Sequence, residues 1–174
     1  MIWSRKVVKL MYSLRFKPFS MDACVFVNRD ITVWIMVYVD DMTIAAATKD
    51  QIEAVARQFG EAFSIEPLGD IQKFVGLRIV CDRNLKTIKI SQLPYIQRVL
   101  EMKGWENLKG VGSPLDVNVK YDPDALEIDE EEKTEYLELV GSAQWISNNT
   151  RPDVAYAANF LGRHRQKPTR QHSE

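Results

Sequence analysis

Asp40 and Asp41 are adjacent carboxylates, and they follow the apolar run Ile31 to Val39 directly. Two like charges side by side repel one another, so something must offset them. One answer is a structural turn, because Asp side chains bond nearby backbone and are common in turns for that reason. The other is a hard divalent cation such as Mg2+, which takes oxygen ligands and keeps several of its waters. In phosphoryl transfer, two such ions about 3.5–4 Å apart stabilise the attacking and leaving oxygens. Spacing alone leaves both answers open. Other residue types offer less chemistry. Cys24 and Cys81 cannot make a disulfide framework or a zinc site by themselves, and with no histidine near them in sequence they read as small buried hydrophobes. His164 and His172 lie in a basic tail without ligand-spaced partners. Trp3, Trp34, Trp105 and Trp145 could stack on bases, but each lies in or beside an apolar pattern and reads as a packing residue.

The elements that must hold the carboxylates follow from periodicity. Cys24 to Val27 is a short apolar run and Asn28-Arg29-Asp30 is turn chemistry. Ile31 to Val39 is β-branched and aromatic without alternation, which predicts a strand buried on both faces. Met42 to Ala47 resumes as a further strand, so two hairpins follow one another with the acid pair at the second tip. Thr48-Lys-Asp-Gln51 fits a capping box opening an amphipathic helix from about Lys49 to Phe63, with Ile52, Val55, Ala56, Phe59 and Phe63 at helical spacing. Ile71 to Val80 and Thr87 to Ser91 read as two strands joined through Asp82-Arg83-Asn84, with Gly76 marking a bulge or a close backbone approach. A second helix runs from about Gln92 to Lys103, burying Ile96, Val99 and Leu100, with Gly104 as its C-cap. Gly110, Gly112 and Pro114 open an irregular link that continues to about Asp129. An acid-rich start at Asp129 to Glu132 then suits the positive end of a helix carrying Tyr136, Leu139, Val140 and Ala143 inward to about Asn148. Thr150-Arg-Pro-Asp153 reads as a second capping box, opening a last helix to about Arg165. Strands and one helix first, helices last, make the fold class α+β.

The chain has 174 residues, enough for one ordinary domain, or one domain and an appendage. Hydrophobic residues at 45% and charged residues at 27% exclude a disordered or collagen-like chain. The longest apolar stretch, Ile31 to Val39, is too short to cross a bilayer, and Arg5, Lys6 and Lys9 break up any secretion signal, so no membrane partner and an intracellular setting are expected. A net charge of -1 neither demands nor excludes nucleic acid. Its distribution is segregated. Arg5, Lys6, Lys9, Arg15 and Lys17 open the chain without an acid, nine acids lie between Asp122 and Glu138 against Lys133 alone, and Arg163, Arg165, Lys167 and Arg170 close it. Solvated faces are the better reading of this, a polyanion footprint the other.

Seven segments in one order narrow the chemistry. They are Asp22-Ala-Cys-Val-Phe26, Val37-Tyr-Val-Asp-Asp41, Leu68-Gly-Asp70 with Phe74-Val-Gly-Leu77, Ile90-Ser-Gln92 with Tyr95-Ile96, Ser113-Pro-Leu115, Leu139-Val-Gly141, and Thr150-Arg-Pro-Asp153. The Tyr-Val-Asp-Asp box resembles the active-site box of reverse transcriptases, and the series resembles copia-type retrotransposon polymerases from about residue 10 to about residue 172. The resemblance implies a partial polymerase palm followed by a helical region like a thumb and connection. Residues 1–23 would be a basic remnant leading into the palm, 24–91 the C-terminal part of the palm, and 92–174 the thumb-like region. It implies that Asp40 and Asp41 are catalytic and bind Mg2+, with Mn2+ as an alternative ion. Tyr38 and Val39 would lie near the primer terminus, and Leu68, Gly69, Phe74 and Gly76 in a primer grip. Partners would be an RNA or DNA template-primer and a dNTP.

That family uses three catalytic aspartates, the first on an earlier palm strand. Upstream of Asp40 the acids are Asp22 and Asp30 alone, and neither follows a suitable apolar strand. The first aspartate and the fingers are therefore expected in a missing N-terminal portion, and this polypeptide alone is expected not to polymerise. A decayed or domesticated remnant that binds nucleic acid or protein without catalysis is the alternative. An unrelated phosphotransferase with a similar palm is disfavoured by the segments outside Asp40-Asp41.

Overall fold

The computed structural model describes residues 2–115, 122 and 125–173. The chain divides into two units, residues 1–88 and 89–174.

The first unit opens with α1 (Ile2–Ser13). Val7 and Met11 repeat at helical spacing and are buried, so α1 lies within the core of this unit. A four-stranded antiparallel sheet follows in sequential order: β1 (Lys17–Phe19), β2 (Asp22–Val27), β3 (Val33–Tyr38) and β4 (Asp41–Ala46). Cross-strand partners share a face. Phe26, Ile35 and Ile44 form one row, and Val33–Ala46 and Val37–Met42 extend it. This face packs against α1 and against α2 (Lys49–Ala62) through Val55 and Phe59. Burying each such side chain contributes about 1.5–3 kcal/mol.

The other face carries Val25–Met36–Thr43, Val27–Trp34–Ala45 and the pair Tyr38–Asp41. Met36 is 39% and Tyr38 56% exposed, so β3 is not buried on both faces as its apolar run predicts. Its side chains still alternate geometrically; the sequence simply places apolar residues on the open face too. Ile31 falls outside the strand, exposed and at φ +54°, in a turn that Asn28 closes by accepting at Oδ1 from the amides of Thr32 and Val33. Cys24 is exposed, as is Cys81, against the expectation of buried thiols; Cys24 shares the Phe26 side of β2 but stands outside the buried cluster of Phe26, Val33 and Ile35.

The capping box of α2 is present. The Thr48 hydroxyl accepts from the Gln51 amide at 3.3 Å, and Gln51 Oε1 accepts from the Thr48 amide at 3.2 Å. After a loop, β5 (Lys73–Phe74), β6 (Leu77–Asp82) and β7 (Thr87–Ser91) make a second sheet in that order. The single strand predicted over Ile71 to Val80 is thus two strands. Gly76 is neither bulge nor mid-strand residue but the second position of a tight turn, with Val75 at φ +43° and Gly76 at φ +82°, a type I′ sense.

The second unit contains α3 (Leu93–Lys103), ended by Gly104 at φ +66° as expected, α4 (Glu130–Asn149), α5 (Ala155–Arg163) and α6 (Arg170–Ser173). Asp129 caps α4 by accepting from the amides of Glu131 and Glu132. Tyr136, Val140 and Ser147 are buried in α4, and the Tyr136 hydroxyl donates to the Leu161 carbonyl at 2.7 Å. The second capping box does not form. Residues Pro152–Val154 are a 3-10 turn without a side-chain cap, and the Thr150 hydroxyl instead donates to the buried Gln92 Oε1 at 2.6 Å. Arg151 pairs with Asp153 at 2.7 Å and holds its carboxyl below the usual range. The part of the expected irregular link at 116–121 and 123–124 lies outside the described residues. No helix among the described residues is long and apolar enough to cross a membrane.

Candidate functional site

β3 and β4 pair as far as Tyr38–Asp41, so the hairpin loop is Val39-Asp40. A two-residue loop matches the right-handed strand twist only if its first residue takes a positive φ. Val39 does so at φ +53°, an unfavourable conformation for a β-branched residue. Asp40 occupies the second loop position and Asp41 begins β4 on the open sheet face beside Tyr38. Both carboxylates are exposed. Neither has a hydrogen-bond or ion-pair partner on its side chain among the described residues. They are therefore not the self-bonded carboxylates of a structural Asp turn. By contrast, Asp22 accepts from the Cys24 amide and Asp82 from the Leu85 amide, which is ordinary turn behaviour.

A second hairpin tip lies beside the first. The Phe74 ring meets Tyr38 edge-on, centroids 6.4 Å apart at 70°, so the Val75-Gly76 turn borders the Tyr38 end of the open face. Tyr38, Val39, Asp40, Asp41, Phe74 and Gly76 are thereby gathered at one end of the first unit. Leu68 and Gly69 are not shown to join them. They are exposed in the loop after α2, and that loop is tied by Asp70, whose carboxylate accepts from Arg83 at 2.7 Å, to the β6–β7 turn. One contact escaped sequence reasoning. Trp3 in α1, expected only to pack, donates its indole N–H to the Val39 carbonyl at 2.9 Å.

Two carboxylates with free oxygens are hard donors of the kind Mg2+ accepts alongside waters and phosphate oxygens, so the donor set fits such an ion. A third acid does not join them: no group of three or more His, Cys, Asp or Glu residues suited to a metal occurs among the described residues. Exposed paired carboxylates beside an apolar platform can hold a cation and a polyphosphate but supply no buried general acid or base.

Residues 1–117 match the family model described as reverse transcriptase (RNA-dependent DNA polymerase). The chain belongs to that family. It is 31% identical over 99% of its length to the retrovirus-related Pol polyprotein from transposon TNT 1-94 of Nicotiana tabacum, of which it covers 14%. It is 29% identical over 80% of its length to the Pol polyprotein from transposon RE1 of Arabidopsis thaliana, covering 9% of it. A truncated transposon Ty1-A Gag-Pol polyprotein of Saccharomyces cerevisiae is 31% identical over 86% of the chain, which covers 13% of that protein. The chain thus spans a small part of these copia-type relatives. No solved structure matches it.

Proposed function

We propose that this chain carries the metal-binding hairpin of a copia-type RNA-directed DNA polymerase, with Asp40 and Asp41 as its carboxylates. The observation that carries the reading is the unpartnered acid pair on a tight hairpin, with the Phe74-Val75-Gly76 turn alongside. Mg2+, or Mn2+, held by Asp40 and Asp41 would neutralise charge that develops on the transferring phosphate. Tyr38 and Val39 would border the primer terminus, Phe74 and Gly76 would press the primer strand toward the acids, and Leu68 and Gly69 would extend that grip. In this reading residues 24–91 serve as palm and 92–174 as a thumb-like region, working inside the cell on a template-primer and a dNTP.

The chain alone is proposed to be catalytically incomplete, because two carboxylates without a third place metal ions poorly. Positioning errors near 1 Å can cost about a hundredfold. Primer extension with the isolated chain in Mg2+ or Mn2+ is expected to give no product, and robust template-dependent synthesis would overturn this. A second reading, a non-catalytic binding module, draws support from the half-apolar open face and from β4 as an edge strand of the sheet. Retention of template-primer on a filter, falling steeply with salt, would favour it; no retention at low salt counts against it.

A further inference from the structure

A two-residue hairpin loop such as Val39-Asp40 can be built in either of two primed turn forms. Turn types of one hand differ by a flip of the central peptide, here the one joining Val39 to Asp40. Val39 is at φ +53° while Asp40 is not among the positive-φ residues, which is the type II′ sense; the Val75-Gly76 loop, with both positive, shows the type I′ alternative. Asp tolerates positive φ better than most residues, so its own preference does not forbid the flip. A flip would carry the Val39 carbonyl to the opposite side and turn the backbone under Asp40, redirecting its carboxylate.

The carbonyl that would move is the one Trp3 holds. The indole N–H reaches it at 2.9 Å from an element 36 residues earlier. The indole is itself braced edge-on by Phe63, centroids 4.8 Å apart at 66°. Packing alone would not require the N–H to be aimed at the turn. We propose that Trp3 is a positioning residue: by holding the Val39 carbonyl it selects the loop conformation that presents Asp40. This rests on Asp40 and Asp41 being the metal-binding pair.

The test is NMR of the full chain with Trp3→Phe, which keeps a ring against Phe63 and removes the donor. The Val39, Asp40 and Asp41 amides are expected to shift and broaden, while those of Val55 and Phe59 in the core stay in place. The Mn2+ concentration that bleaches the Asp41 amide is expected to rise about three- to tenfold, as it does when the competent conformer falls to a third or a tenth of the population. Moving turn amides with no Mn2+ binding in either protein would uphold the selection of the turn and sink the metal reading. Unmoved turn amides would overturn the proposal. Should the variant not fold, the wild-type chain decides by hydrogen exchange. Trp3, Trp105 and Trp145 are 40%, 39% and 38% exposed, so a bonded Trp3 indole N–H exchanges more slowly than the other two. Equal rates would overturn the proposal.

Discussion

Val39 combines an exposed side chain with a left-handed backbone, and its neighbours explain why that is tolerable. Positive φ at a non-glycine residue costs about 1–3 kcal/mol and persists only where surroundings enforce it. Here the β3–β4 ladder and the Trp3 hydrogen bond do so. Because Val39 is 69% exposed, its side chain contributes little burial. Val39→Gly is therefore expected to stabilise the first unit by about 1 kcal/mol, the strain relief less the extra chain entropy of glycine, measurable by urea denaturation. On the proposed reading the acids beside it have the opposite character, cheap to remove yet needed to hold the metal ion. Asp40→Asn and Asp41→Asn are each expected to leave stability unchanged and to weaken Mn2+ binding about ten- to a hundredfold, read by paramagnetic broadening. Unchanged binding in both variants would remove them as ligands.

Among the elements, two Thr-led segments of similar pattern meet different fates. Thr48 caps α2, with Gln51 completing the box, and Thr48→Ala is expected to cost about 1 kcal/mol. Thr150 follows α4 and gives its hydroxyl to Gln92, whose Nε2 also donates to the Trp145 carbonyl at 3.2 Å. Gln92 is 1% exposed, and Gln92→Leu takes this acceptor from the Thr150 hydroxyl while the Trp145 carbonyl keeps the Asn149 Nδ2 donor at 2.8 Å, at a cost of about 1–3 kcal/mol. Adding Thr150→Val to Gln92→Leu should cost less than the two singles summed, since both remove one network. Additive costs in urea denaturation would show the network to be unimportant. A local pattern fixes a cap only when no stronger partner competes for the hydroxyl, and at Thr150 one does.

For the molecule as a whole, charge segregation resolves inside the second unit. The acidic block meets the basic tail through Lys167–Glu127 and Arg170–Glu132, both at 3.2 Å. These pairs are exposed and contribute little stability, but they occupy two of the tail's cations and weaken the case for a polyanion footprint there. The same tail stacks His172 on His164, centroids 4.0 Å apart. Burial first, and the His164 charge second, push the His172 pKa below its ordinary value. The unfolded chain then binds the proton at higher pH than the folded one, so stability is whole above about pH 6.5 and declines as the pH falls below it. The thermal midpoint of the chain is expected to drop between about pH 7.5 and about pH 5, and His172→Gln should flatten that slope. A slope unchanged by the substitution would assign it to other groups.

Local chemistry by itself determined most elements: the Asp40-Asp41 hairpin, the Thr48 box, the Gly104 stop and the Asp129 helix start all depend on neighbours within a few residues. The ordered segments were also enough to indicate the polymerase family. Tertiary structure decided what depends on partners distant in sequence. Burial of β3 on one face only, the exposed thiols, the split at Val75-Gly76, the use of Thr150 by Gln92 and the grip of Trp3 on Val39 were not legible, because apolar pattern records which residues can be buried and not which surfaces the helices cover. The meeting of the Tyr38 and Phe74 turns belongs with these, for no local preference brings two hairpin tips together.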